Sequence, residues 1–85
     1  MTTETTSTTT DRELTYGEKA VGLSFNPGGH ATVNKIKEQF AEAIDFINAV
    51  RNSSEDTEVK RMCSIAITEA QTAQMWAVKA ATWTK

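Results

Sequence analysis

The sequence predicts an all-α fold, namely a short N-terminal helix plus an antiparallel two-helix hairpin, assembled as a homo-oligomer. Two long stretches carry apolar residues at spacings of three and four, a pattern typical of amphipathic helices. A short polar break at 52–54 separates them, so the two helices should lie antiparallel as neighbours. A chain of 85 residues is long enough for one domain, which we place at residues 10–85.

The N-terminal segment divides into a tail and a helix. Residues 1–9 are mostly threonine and offer nothing that can pack, so we predict a disordered tail. Thr10 and Glu13 have the spacing of a capping box, in which the side chain of each residue accepts a hydrogen bond from the backbone N–H of the other. A short helix should therefore run from there to about Val21, with Gly22 as its left-handed stop.

A loop at residues 22–32 separates this helix from the hairpin and contains the only proline, the only histidine and three of the four glycines. The Gly28–Gly29 pair leaves backbone N–H groups uncovered, and Thr32 is a suitable N-cap for the next helix. The first turn then carries Lys35 and Lys37 at the positive end of the helix dipole. These features suggest an anion site, and the alternative is an ordinary turn with solvated lysines.

The first hairpin helix should run from Val33 to about Arg51, and the second from Glu55 nearly to the end. Ser53 and Asp56 resemble an acidic capping box before the second helix. The first helix has an apolar seam of Val33, Ile36, Phe40, Ala43, Ile47 and Val50. The second has a seam of Val59, Cys63, Ala66, Ala70, Ala73, Ala77 and Ala80.

The two predicted helices differ in length, at roughly 28 Å and 45 Å from the rise of 1.5 Å per residue. The far end of the longer helix would then be uncovered, and it contains both Trp76 and Trp83. Exposed apolar patches of this kind usually mark interfaces, so we expect a homo-oligomer.

Composition and residue types argue against several functions. The net charge of −2 is unfavourable for general DNA or RNA binding, and no apolar run could span a membrane. His30 and Cys63 lie in different segments without a third orienting group, so we expect no enzyme. One histidine and one cysteine are a poor zinc ligand set, and we expect neither a metal site nor a cofactor.

Two stretches together resemble a known family. The first is 21–29 (VGLSFNPGG) followed by 33–37 (VNKIK), and the second is 68–82 (TEAQTAQMWAVKAAT). In this order, with a hairpin turn between them, they resemble the phage anti-CBASS and Thoeris anti-defence helical-hairpin family. The resemblance implies a homohexamer that binds cyclic nucleotide messengers between protomers in the cytoplasm of an infected bacterium, without cleaving them. It implies cyclic dinucleotides such as cyclic GMP-AMP at one pocket and cyclic triadenylate at another.

The resemblance also implies site residues, because a cyclic dinucleotide presents flat bases to stack and phosphates to bind. Tyr16 would stack a base, and Arg61 would serve the cyclic trinucleotide. The remaining candidates would donate to phosphate, contact a base edge or order the loop: Asn26, Gly28, Gly29, His30, Thr32 and Lys35. Two alternatives stay open, namely a Thoeris-type sponge for cyclic ADP-ribose isomers and a small helical adaptor that binds another protein.

Overall fold

The computed structural model describes residues 12–84, and within them three helices follow one another. They are α1 (Tyr16–Ala20), α2 (Ala31–Ser53) and α3 (Thr57–Ala81). The described residues contain no strand, so the all-α hairpin prediction is confirmed. The predicted tail at 1–9 and the predicted cap Thr10 lie outside the described residues.

The first helix begins later than its predicted capping box. Thr15 is the N-cap of α1, and its capping-box partner is Glu18, while Glu13 lies in non-helical chain. The Glu18 carboxylate accepts from Thr15 N–H at 2.9 Å and also pairs with Arg12 at 2.7 Å. The prediction that Glu13 closes a capping box at the start of this helix was therefore wrong, because the capping box consists of Thr15 and Glu18. The predicted stop is confirmed, since Gly22 follows the C-cap Val21 with φ +65°.

The two hairpin helices are nearly equal in length, with 23 and 25 residues, or about 35 Å and 38 Å. The predicted overhang of the second helix was therefore wrong. Asp56, rather than Ser53, caps α3, because its carboxylate accepts from Glu58 N–H at 2.8 Å. Ser53 instead ends α2, and its hydroxyl donates to Val50 O at 3.1 Å.

The core lies where α1 and the following turn pack against the hairpin. Ile44 is fully buried at its centre, although the predicted seam omitted it. Two members of that seam, Ala43 and Val50, are exposed instead. The buried stripe of α2 is shifted because this helix packs against two neighbours, α1 and α3. The predicted seam assumed packing against a single helix. The core cluster consists of Val21, Leu23, Ala41, Ile44 and Ile67.

The inner face of α3 also departs from its predicted seam. Cys63 is buried as expected, but Ala73 and Ala80 are exposed, and Ile67 and Gln74 are buried in their place. Gln71 of α3 donates from its side-chain amide to Ala20 O at 3.2 Å, which ties α1 to the hairpin.

Large apolar side chains remain exposed on the outer faces of both long helices. Trp76 and Trp83 are about two-thirds exposed, and Phe46 on α2 is 70% exposed. Single exposed hydrophobic residues are ordinary, but these belong to a larger group. The exposed group on α2 and α3 is Phe46, Val50, Met62, Ile65, Met75 and Trp76.

Candidate functional site

The glycine loop is held in a defined shape by Asn26. Its side-chain amide donates to His30 O at 3.0 Å, and its side-chain oxygen accepts from His30 N–H at 3.2 Å. Gly29 has φ +60°, a conformation that L side chains rarely adopt, and its N–H donates to Asn26 O at 2.9 Å. Asn26 therefore orders the loop, one of the two roles that the sequence suggested for it.

His30 caps α2, so the prediction of Thr32 as the N-cap was wrong. The His30 Nδ1 atom accepts from Val33 N–H at 3.4 Å, and the helix begins at Ala31. Thr32 is an exposed residue in the first turn. The cap differs because the Asn26 side chain holds the His30 backbone and so brings that imidazole over the helix end. The first turn of α2 still contains no acid, so its dipole is not neutralised there.

Lys37, which the sequence grouped with Lys35 at a suggested anion site, is a buried cation beneath this loop. Its side chain is only 6% exposed, and its ammonium donates to Gly22 O at 3.0 Å and to Phe25 O. No carboxylate of residues 12–84 forms an ion pair with it. Lys37 thus fastens the loop to α2 and adds positive charge there. Its position four residues after Val33 and four before Ala41, both buried, was the signal that could have identified it.

Several predicted residues meet at an open cavity of about 480 Å³ beside the start of α2. Asn26, Gly29 and Lys35 line it, together with Ser24 and the side chain of Asn34. Glu38 lines it as well and adds a negative charge, and its carboxylate accepts from the Asn34 amide at 2.9 Å. Gly28 and His30 line a smaller hollow of about 240 Å³ on the other side of the loop, next to the end of α3.

Tyr16 lies far from this cavity within one chain. The Arg51 guanidinium lies over its ring, 5.5 Å from the centroid, near the end of α2. The backbone N–H of the neighbouring Gly17 donates to Asp45, which follows Thr32 by 13 residues, or about 20 Å along the helix. The structure therefore separates the candidate stacking residue from the candidate phosphate donors by several turns of α2 within one chain. Arg51 was missed because its contact with Tyr16 joins two separate helices.

Arg61 lies in α3 near the turn between the hairpin helices, and it lines a hollow of about 290 Å³ with Ser64, the residue to which Arg51 donates. Its guanidinium donates to Glu58 at 3.1 Å and 2.6 Å, and both side chains are exposed. This hydrogen bonding raises the pKa of Arg61 and lowers the pKa of Glu58. A phosphate bound at Arg61 would have to compete with that carboxylate.

A larger groove, of about 610 Å³, has the wrong charge for a phosphate. It runs between α1 and α2 and is lined by four carboxylates, from Glu18, Glu38, Glu42 and Asp45. Like charges would repel an anionic ligand there. The smaller cavity at the start of α2 is therefore the better candidate.

Within 12–84, no three His, Cys, Asp or Glu side chains are grouped as a metal site would need. No helix in the same range is both long and apolar enough to cross a membrane.

Comparison with known proteins supplies a family. No curated protein and no solved structure matches the chain significantly. A family profile described as "Acb2/Tad1, hairpin domain" matches residues 18–82, which covers α2, α3, the glycine loop and most of α1. This family consists of anti-defence sponges for cyclic nucleotides. Because the match spans most of the chain and all of its hairpin, the chain belongs to the Acb2/Tad1 hairpin-domain family.

Proposed function

We propose that the protein binds and sequesters cyclic oligonucleotide messengers, in particular cyclic dinucleotides such as cyclic GMP-AMP, and so blocks CBASS immunity. The observation that carries this proposal is the family match over residues 18–82, which includes the loop at the start of α2. The site of action would be the cytoplasm of the infected bacterial host.

The start of α2 supplies the chemistry that a phosphate needs. Gly29 and Lys35 line the cavity there, and the first turn of a helix presents backbone N–H groups without partners. The buried Lys37 ammonium adds positive charge from below. Ordered backbone donors and a nearby lysine bind an anion without a large cost in chain entropy.

A base would be recognised at Tyr16, whose ring is 46% exposed. Because Tyr16 and the start of α2 lie about 20 Å apart along the helix, a ligand that contacts both would bridge two copies of the chain. This separation supports pockets between protomers, and we propose a homohexamer. The exposed apolar faces of α2 and α3, including Phe46 and Trp76, would supply buried interfaces.

We propose binding without cleavage, since the two nucleophile or base candidates are poorly placed for catalysis. Cys63 is buried on the inner face of α3. His30 uses its Nδ1 atom to cap α2. Ligand released by heating the complex should therefore be recovered intact, and recovery of a cleaved product would contradict the proposal.

Isothermal titration tests the ligand class, with cyclic GMP-AMP, cyclic triadenylate and a cyclic ADP-ribose isomer added separately to folded protein. Tight binding of cyclic GMP-AMP at fewer than one ligand per chain is expected. Preference for the cyclic ADP-ribose isomer would favour a Thoeris-type sponge instead, and absence of binding to all three would contradict the proposal. Binding of cyclic triadenylate that is lost in Arg61→Gln would identify a second pocket.

A helical adaptor for another protein is the second candidate, and the exposed Trp76 and Trp83 favour it. The two functions differ in the residues on which they depend. A sponge should lose ligand affinity in Tyr16→Ala, whereas an adaptor should tolerate that change and lose its partner in Trp76→Ala.

A further inference from the structure

Arg51 is held at three points around its guanidinium group. One Nη atom donates to Ser64 Oγ at 2.9 Å and the other donates to Asn48 Oδ1 at 2.7 Å. The central carbon lies 5.5 Å from the centroid of the Tyr16 ring. Asn48 belongs to α2 and Ser64 to α3, so the three contacts join all three helices at one place.

The arrangement leaves Tyr16 partly exposed. Its ring is 46% exposed even with Arg51 above it, and Arg51 itself is half-buried. A planar guanidinium can stack on a ring while its two ends donate in fixed directions, which a lysine ammonium cannot do. The contact therefore fixes the orientation of the ring and leaves aromatic surface free.

We propose that Arg51 is a positioning residue for ligand binding. It holds the Tyr16 ring as a rigid platform on which a purine base of the ligand stacks. This inference rests on the proposed function, because it takes Tyr16 to be the base-stacking residue. An aromatic ring fixed in its bound orientation loses less entropy when a base stacks on it.

Three variants and wild type test the inference. Arg51→Gln removes the cation, whereas the double variant Asn48→Ala/Ser64→Ala keeps the cation and removes both of its anchors. Lys19→Gln is the matched control, because it removes one exposed positive charge from α1 without touching Arg51. Affinity is measured by titration with cyclic GMP-AMP, and circular dichroism checks that each variant is folded. Tyr16 is the only tyrosine in the chain, so aromatic NMR signals of tyrosine report on this ring alone.

Arg51→Gln and the double variant should each bind about two- to fivefold more weakly, the size of an exposed cation–π contact. Both should shift the Tyr16 ring signals in the absence of ligand, and Lys19→Gln should do neither. Unchanged ring signals in Arg51→Gln would overturn the proposal. Weaker binding in Arg51→Gln with wild-type affinity in the double variant would also overturn it, since Arg51 would then act on the ligand by its charge.

The two proposals can fail separately. If wild type binds none of the cyclic nucleotides, the proposed function is wrong. Arg51 then has no role in ligand binding either. The ring signals of the ligand-free double variant, which keeps the cation, still decide whether the anchored Arg51 controls the orientation of Tyr16.

Discussion

The backbone N–H of Gly17 donates to Asp45 Oδ1 at 2.7 Å, which fixes α1 against the middle of α2. Gly17 is buried, and a Cβ atom at this position would clash with the Ala41 carbonyl and approach Asp45 Oδ1 to 2.9 Å. The two backbones are therefore close because residue 17 has no side chain.

Gly17→Ala should lower the free energy of unfolding by about 1–3 kcal/mol, as overpacking does in a core. Alanine favours a helix by up to about 1 kcal/mol over glycine, but here the neighbour is helix backbone that cannot move aside. Chemical denaturation measures the change. Gly28→Ala is the control, since open space surrounds that position. Equal stability of the Gly17 and Gly28 variants would contradict the close approach.

Lys37→Met should destabilise the protein by about 1–3 kcal/mol, because the carbonyls of Gly22 and Phe25 lose their hydrogen-bond donor. Denaturant unfolding gives the free energy. The matched variant Lys35→Met removes an exposed lysine two residues away and should be nearly neutral for stability. If both variants unfold alike, Lys37 does not fasten the loop.

Glu18 should make stability depend on pH in the acid range. Its hydrogen bond with Arg12, followed by that with Thr15 N–H, lowers the pKa of Glu18 from 4.5 to about 2. Because the folded state binds this proton more weakly than the unfolded state, the stabilisation is present above pH 4.5 and is lost as the pH falls through about 2. The difference in unfolding free energy between wild type and Glu18→Gln should shrink over that window. A constant difference would contradict this assignment.

His30→Asp should affect stability and ligand binding in opposite directions. A carboxylate is a stronger N-cap than the imidazole, whose bond to Val33 N–H is long, and it also suits the helix dipole, so about 0.5–1 kcal/mol of stability should be gained. The same negative charge should weaken binding of an anionic ligand. His30→Asn caps the helix without charge and separates the two effects. Thermal unfolding and ligand titration are compared for wild type, His30→Asp and His30→Asn. If His30→Asp changed stability and ligand affinity in the same direction, the prediction would be contradicted.

The helices and their antiparallel arrangement follow from apolar spacing, but the caps do not. Thr32 and Ser53 have suitable side chains for capping, yet His30 and Asp56 cap the helices because Asn26 and Ser54 orient the chain before them. Such choices depend on hydrogen bonds between neighbouring residues that compete, and spacing alone does not rank them.

The candidate site could be predicted only in part, for a related reason. Asn26, Gly29 and Lys35 lie close together in sequence and meet at one cavity. Lys37 was overlooked as a buried group because lysine is almost never buried, and only the loop carbonyls above it explain the exception. Arg51 reaches Tyr16 from 35 residues away, a contact that helical periodicity cannot reveal.

The distance between Tyr16 and the Gly28–Gly29 turn has a consequence for how capture would depend on protein abundance. A ligand that contacts both sites would be held by two chains, so its apparent affinity would depend on the protein concentration as well as on the ligand concentration. At low expression, separate chains would bind little. Once chains assemble, each bound molecule would also act as a cross-link that slows their separation, and capture would rise more steeply than protein concentration.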